Sequence, residues 1–242
     1  MENVSLGGEN CQSGGVIELV ALDMAGTTID DNGVVYQALY LAVEGTGARC
    51  STSDVEDWMG IDKRVALRAL AELGGVDLDE ERVEKAYASF REILAQRYQA
   101  RPPRPIAGVE RSFETLQSGG VKVALTTGFA HDVAGPLLKA IGWAAGEGAI
   151  DAIVCVDDVA AGRPAPDLIY EAMSRTGVTE ATAVVAAGDT VADLRAARNA
   201  GAIAVGVGTG KLGLDGLRDE PHDYLLDSVA DLPSLVARLS GR

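Results

Sequence analysis

From residue 108 to the C-terminus, short apolar runs alternate with segments of helical period, and this alternation most constrains the fold. Strands are expected at 121–125, 149–155, 183–187, 202–206 and 224–226. Helices are expected at 108–118, 130–140, 166–176, 191–200 and 229–239. Strands separated by helices of this length cannot pair as tight hairpins. They form a mainly parallel, Rossmann-like α/β sheet with helices on both faces. An earlier run, 17–23, is apolar up to Asp23 and reads as a buried strand of the same sheet.

Between about residues 32 and 102 the pattern is helical only. Segments 33–48, 53–59, 62–73 and 79–99 carry apolar residues at helical spacing, with Ser53 and Asp62 as expected N-caps. The block stops at Arg101-Pro102-Pro103-Arg104-Pro105, which cannot continue a helix. The chain is therefore expected to divide into an α/β core, residues 16–31 and 103–242, and an inserted helical cap, residues 32–102. Residues 1–15, rich in Gly, Ser, Asn and Glu, read as a disordered tail. Loops 30–33 and 101–105 are the expected hinges of the cap.

With 242 residues and 47% apolar content, the chain can bury a large core. A formal charge of −15 argues against a nucleic-acid partner. No run approaches a membrane span of ~20 apolar residues, so no membrane partner is expected. Cys11, Cys50 and Cys155 show no paired spacing, which suits a reducing cytoplasm. A homodimer through apolar cap faces is left open.

Ligands of open parallel sheets sit beyond the carboxyl ends of the strands. Asp23, Thr126 with Thr127, the 157–163 loop and Asp189 all fall there. Each alone suits a capping residue; their arrival at successive junctions points to a site. Carboxylates gathered near Asp23 need a cation, and oxygen-only ligands favour Mg²⁺. Asp23 and Asp189 are the expected direct ligands, with the Ala25 carbonyl as a third. Asp193 is expected to orient a metal-bound water or cap its helix. Thr126, and the turn at Thr127 and Gly128, can hold an oxyanion, and Gly26 and Thr27 complete the first loop. Arg163, between Gly162 and Pro164, can pair with Asp23 and an incoming phosphoryl oxygen.

The ordered motifs DMAGTT, TTG, GRPAPD and GDTVAD resemble the haloacid dehalogenase-like superfamily over residues 17–240. The resemblance implies that Asp23 forms an aspartyl-phosphate and that Thr126 binds the phosphoryl group. It also implies that Arg163, in place of the commoner Lys, stabilises the charge, and that Asp189 binds Mg²⁺. The helical block resembles that superfamily's smaller cap.

Phosphate-ester hydrolysis on this plan uses a second Asp two residues after the nucleophile; here that position is Ala25. The MAGTT pattern, Asp157-Asp158-Val159 before Gly162-Arg163-Pro164, and Met59-Gly60-Ile61-Asp62-Lys63 resemble the phosphonoacetaldehyde hydrolase and phosphonatase-like group. The resemblance implies a small anionic phosphonate substrate and a cap lysine, Lys63, that condenses with an aldehyde. A protonated imine would take up the electron pair of a breaking C–P bond as an enamine. Ala66 departs from the histidine expected three residues beyond the lysine, and Met24 departs from the usual Trp. The alternative is a phosphate monoester hydrolase of a small metabolite, with Lys63 gripping the anion. A binding protein on a former enzyme fold is the competing class, favoured only by Ala25. His131, near Thr126, reads as a helix-start surface residue with access to the site.

Overall fold

The computed structural model describes residues 15–241; residues 1–14 of the expected tail lie outside the described residues. The chain opens with β1 (Leu19–Asp23), followed by the two-residue β2 (Ile29–Asp30). Four helices come next: α1 (Val34–Gly45), α2 (Thr52–Asp57), α3 (Lys63–Leu73) and α4 (Glu80–Ala100). Then β3 (Arg104–Pro105) pairs antiparallel with β2, which brings the two ends of the helical insertion side by side. The rest alternates as α5 (Val109–Ser118), β4 (Lys122–Thr126), α6 (His131–Ile141), β5 (Ala152–Val154) and α7 (Asp167–Thr176). It ends with β6 (Val184–Gly188), α8 (Val191–Ala200), β7 (Ile203–Val207), α9 (Gly213–Leu217), β8 (Tyr224–Leu226) and α10 (Leu232–Leu239).

The main sheet has the order β5-β4-β1-β6-β7-β8 and every pairing in it is parallel. All five residues of β1 are buried. Alternate side chains enter opposite cores, because strand side chains point to opposite faces in turn. Val20 and Leu22 pack with α5, α6 and α10, whereas Leu19 and Ala21 pack with α7 and α8. The sheet is thus covered on both sides, as its continuous apolar strands require. Helices α1 to α4 share the first of these cores and form a small helical cap on the α/β sheet.

Two local expectations are corrected. Helix α2 is capped by Ser51, not Ser53. Ser51 Oγ accepts the Asp54 amide at 3.1 Å, and the Asp54 carboxylate accepts the Ser51 amide at 2.6 Å. An acid three residues after a serine satisfies two orphan amides at once, so the helix starts where that reciprocal pair forms. The short α9 was not expected, because Gly213 and Gly216 hide its periodicity. Asp62 caps α3 as expected, accepting the amides of Arg64 and Val65 at 2.8 and 2.9 Å.

Candidate active site

Parallel pairing sets Asp23 level with Thr126 across β1 and β4, and Leu22 level with Ala187 across β1 and β6. The register therefore delivers Asp23, Thr126 and the loop after β6 to one edge of the sheet. Asp189 follows β6 directly and is 3% exposed; Asp23 is 5% exposed. A ligand oxygen from each of Asp23, Asp189 and Asp193 lies within 4.8 Å of the others.

Gly26 lets the Asp189 side chain approach the first loop. Its φ of 94° is left-handed, and a Cβ there would lie 2.4 Å from Asp189 Oδ2. Only glycine meets both conditions. Thr27 Oγ1 donates to Asp189 Oδ1 at 2.7 Å, while Thr28 Oγ1 donates to the Asp23 carbonyl at 2.9 Å. The Thr27 hydroxyl thus ties the loop to the Asp189 carboxylate, and the Thr28 hydroxyl ties it to the backbone at the end of β1.

Arg163 is buried behind Asp23 and joins three elements. Its Nη1 reaches Asp23 Oδ1 at 2.5 Å, its Nε reaches Asp193 Oδ1 at 2.9 Å, and its Nη2 donates to Thr126 Oγ1 at 2.7 Å. A planar guanidinium, donating from three separate nitrogens in a fixed fork, holds all three at once. Asp193 also accepts the Thr190 amide through Oδ2 at 3.0 Å, completing a capping box on α8. Both Asp193 oxygens are thus engaged by the protein. The Thr126 hydroxyl is likewise taken by Arg163, and Thr127 and Gly128 are the turn residues that line the chamber beside Asp23.

That chamber is about 20 Å³, roughly the room one water needs. Asp23, Ala25, Asp189 and Thr127 face it from the core, and Met59, Gly60 and Lys63 from the cap. Lys63 is 4% exposed, and its Nζ donates to the Ile61 carbonyl at 2.8 Å. It stands 5.6 Å from the centre of the Phe129 ring.

The electrostatics follow from burial. Burial raises Asp23 to about 6 despite the Arg163 charge, with Asp193 adding to the rise. Asp189 is raised well above the usual carboxylate range by burial and by Asp23. Burial lowers Lys63 to about 8, against the pull of Asp23. For Arg163, burial opposes the charge, but Asp193 and Asp23 outweigh it and raise its pKa. Two buried carboxylates that face each other and both resist ionisation form an oxygen-only donor set that fits a hard divalent cation.

All the residues singled out in the sequence meet at this edge except His131. Its ring is 57% exposed and its Nε2 lies 2.9 Å from Asp158 Oδ1. Several chamber residues were missed: Tyr36, which lines the wall from α1, Phe129 from the core turn, and Thr190. Tyr36 sits in an ordinary apolar helix pattern, so no local signal marked it. Cap and core are further joined by Tyr87 Oη and Arg91 Nη1 of α4, which reach Asp132 of α6 at 2.7 and 2.8 Å.

The haloacid dehalogenase-like hydrolase family model matches residues 17–201. Phosphonoacetaldehyde hydrolase of Bacillus cytotoxicus is 32% identical over 225 residues, covering 86% of this chain and 83% of the relative. The Bacillus cereus enzyme of the same name is 32% identical over 219 residues, covering 82% and 79%. Among solved structures, a phosphonoacetaldehyde hydrolase-like protein from Oleispira antarctica aligns with a TM-score of 0.78 at 23% identity, covering 98% of each chain. The β-phosphoglucomutase of Clostridium difficile aligns with a TM-score of 0.77 at 18% identity, covering 93% of this chain and 97% of that one. These two structures share the fold. With a matched model over most of its length and relatives above 30% identity, this chain belongs to the haloacid dehalogenase-like hydrolases.

Proposed function

We propose that the protein hydrolyses the C–P bond of a small aldehydic phosphonate such as phosphonoacetaldehyde, with Asp23 as nucleophile and Lys63 as the imine-forming amine. The observation that carries this is a buried lysine facing the same small chamber as Asp23, at a site where Ala25 replaces the usual acid. The relatives named phosphonoacetaldehyde hydrolase support it. Burial of Lys63 suits the role: with a pKa of about 8, ~9% of the amine is free at pH 7, against well under ~0.1% for an exposed lysine.

The neutral Lys63 amine adds to the aldehyde, and water leaves as the imine forms. Protonation of the imine makes it an electron sink. The Asp23 carboxylate attacks phosphorus, the C–P bond breaks, and its electron pair moves into the enamine. Protonation at carbon and hydrolysis free Lys63 and the two-carbon aldehyde. Water then releases phosphate from Asp23. Arg163 holds Asp23 in position throughout, with Thr126 and Asp193 fixing the guanidinium. The Thr127 hydroxyl, which accepts the Phe129 amide and keeps its own proton to donate, would meet the phosphoryl oxygens together with the Gly128 amide. Mg²⁺ held by Asp23, Asp189 and the Ala25 carbonyl would neutralise charge on those oxygens.

A chamber of about 20 Å³ cannot admit such a substrate, so the cap must part from the core for entry. The expected cap of residues 32–102 would swing on loops 30–33 and 101–105, which the β2–β3 pair holds together.

A second reading, hydrolysis of a phosphate monoester, is favoured by Ala66, which is fully buried and brings no acid–base group near Lys63. Borohydride reduction in the presence of phosphonoacetaldehyde separates the two. A covalent adduct on Lys63, absent in Lys63→Arg, is expected. No adduct, together with rapid phosphate release from simple alkyl or sugar phosphates, would favour the monoester reading.

A further inference from the structure

A second cluster of metal-ligating side chains lies outside the acid triad. A ring nitrogen of His131, the Cys155 sulfur and a carboxylate oxygen of Asp157 fall within 4.8 Å of one another. Cys155 directly follows β5 and is fully buried, whereas His131 and Asp157 stand at the surface above it. The three belong to two adjacent strand ends, so the parallel sheet brings them together just as it assembles the acid triad.

The cluster is held from several sides. The His131 amide donates to both oxygens of Asp157 at 3.1 Å. Asp158 Oδ1 fixes the imidazole through Nε2 at 2.9 Å, and Asp158 Oδ2 is itself held by the Cys155 amide at 2.8 Å and by Arg175 Nη2 at 3.2 Å. A carboxylate that orients the ring is the usual companion of a metal-binding histidine. The donor set is also of a different kind from the acid triad. It offers one thiol, one imidazole and one carboxylate, where the triad offers oxygen alone. A thiolate selects borderline-soft ions over Mg²⁺.

We propose that His131, Cys155 and Asp157 form a second, zinc-class metal site, with the fourth position open to solvent. Tetrahedral coordination with Zn–S near ~2.3 Å and Zn–N and Zn–O near ~2.1 Å spaces ligand atoms by ~3.5 Å. The side chains close by roughly 1 Å to reach it, within the freedom of two surface residues. Binding converts the Cys155 thiol to a thiolate and releases one proton to solvent. The site ties the start of α6 to the turn after β5. Phe129, two residues before His131, lines the catalytic chamber, so an ion here would stiffen one of its walls.

Co²⁺ added to the full-length, Mg²⁺-saturated protein tests this optically. The expected result is a sulfur-to-cobalt charge-transfer band that saturates at one equivalent and is displaced by Zn²⁺. The band is lost in Cys155→Ser, its apparent affinity falls at least ~10-fold in the surface variant His131→Asn, and it persists in Asp189→Asn. No band on the wild-type protein overturns the proposal. So does a band that survives Cys155→Ser, one unaffected by His131→Asn, or one that disappears in Asp189→Asn, which would place the ion at the acid triad.

Discussion

Replacing Lys63 with Met should stabilise the protein at neutral pH while abolishing any imine chemistry. The lysine is 4% exposed, and burial lowers its pKa from 10.5 to about 8. That difference corresponds to about 3 kcal/mol by which folding is opposed while the amine is protonated in both states. Methionine has a similar reach and carries no charge. It forgoes the hydrogen bond to the Ile61 carbonyl, worth ~1 kcal/mol, so the variant should gain about 2 kcal/mol at pH 7. The sign with pH is fixed. Below pH 8 both states of the wild type hold the proton, and the folded chain bears the whole cost. Between pH 8 and 10.5 the folded state has lost the proton and the unfolded state keeps it, so wild-type stability rises with pH. The Met variant lacks this rise, and its advantage should vanish by pH 10.5. Urea unfolding of both proteins at pH 7, 8, 9 and 10 measures the difference directly, because other groups titrating in this range cancel. A difference that does not change with pH would refute the claim that burial of the ammonium sets the lysine's pKa.

Asp23→Asn should fold normally, judged by near-ultraviolet circular dichroism, yet release no phosphate above background; near-normal turnover would remove Asp23 as nucleophile. Asp189→Asn relieves the opposition of two buried carboxylates, so metal-free protein should gain ~1–2 kcal/mol in urea unfolding, while the rise in Tm on adding Mg²⁺ should disappear. Gly210→Ala would set a Cβ 1.9 Å from Asp189 Oδ2 and displace that carboxylate; its Mg²⁺ response in thermal unfolding should weaken, and an unchanged response would show that the close approach of Gly210 does not position Asp189. Arg163→Met leaves Asp23 and Asp193 buried without their partner and should cost about 3–5 kcal/mol at pH 7, a loss that shrinks in acid as the Asp23 carboxyl takes up its proton.

The sequence by itself determined the sheet, the helical insertion and the meeting of Asp23, Thr126, the 157–163 loop and Asp189. The reason is geometric: once apolar runs separated by helices are read as parallel strands, their carboxyl ends must lie on one side. Asp62 was legible as a cap for a similar reason, since its partners are its own neighbours in the chain. Ser51 was missed although its signal, Asp54 three residues on, is equally local. What only the tertiary structure decided concerns partners distant in sequence. Arg163 holds Asp23, Asp193 and Thr126 together, which leaves Thr127 and Gly128 to line the chamber. Tyr36 and Lys63 reach it from helices whose rotation relative to the core is set by packing, not by any residue within them. Likewise, the departure of Lys63 from an ordinary lysine is a property of burial, and burial exists only once cap and core have closed on each other.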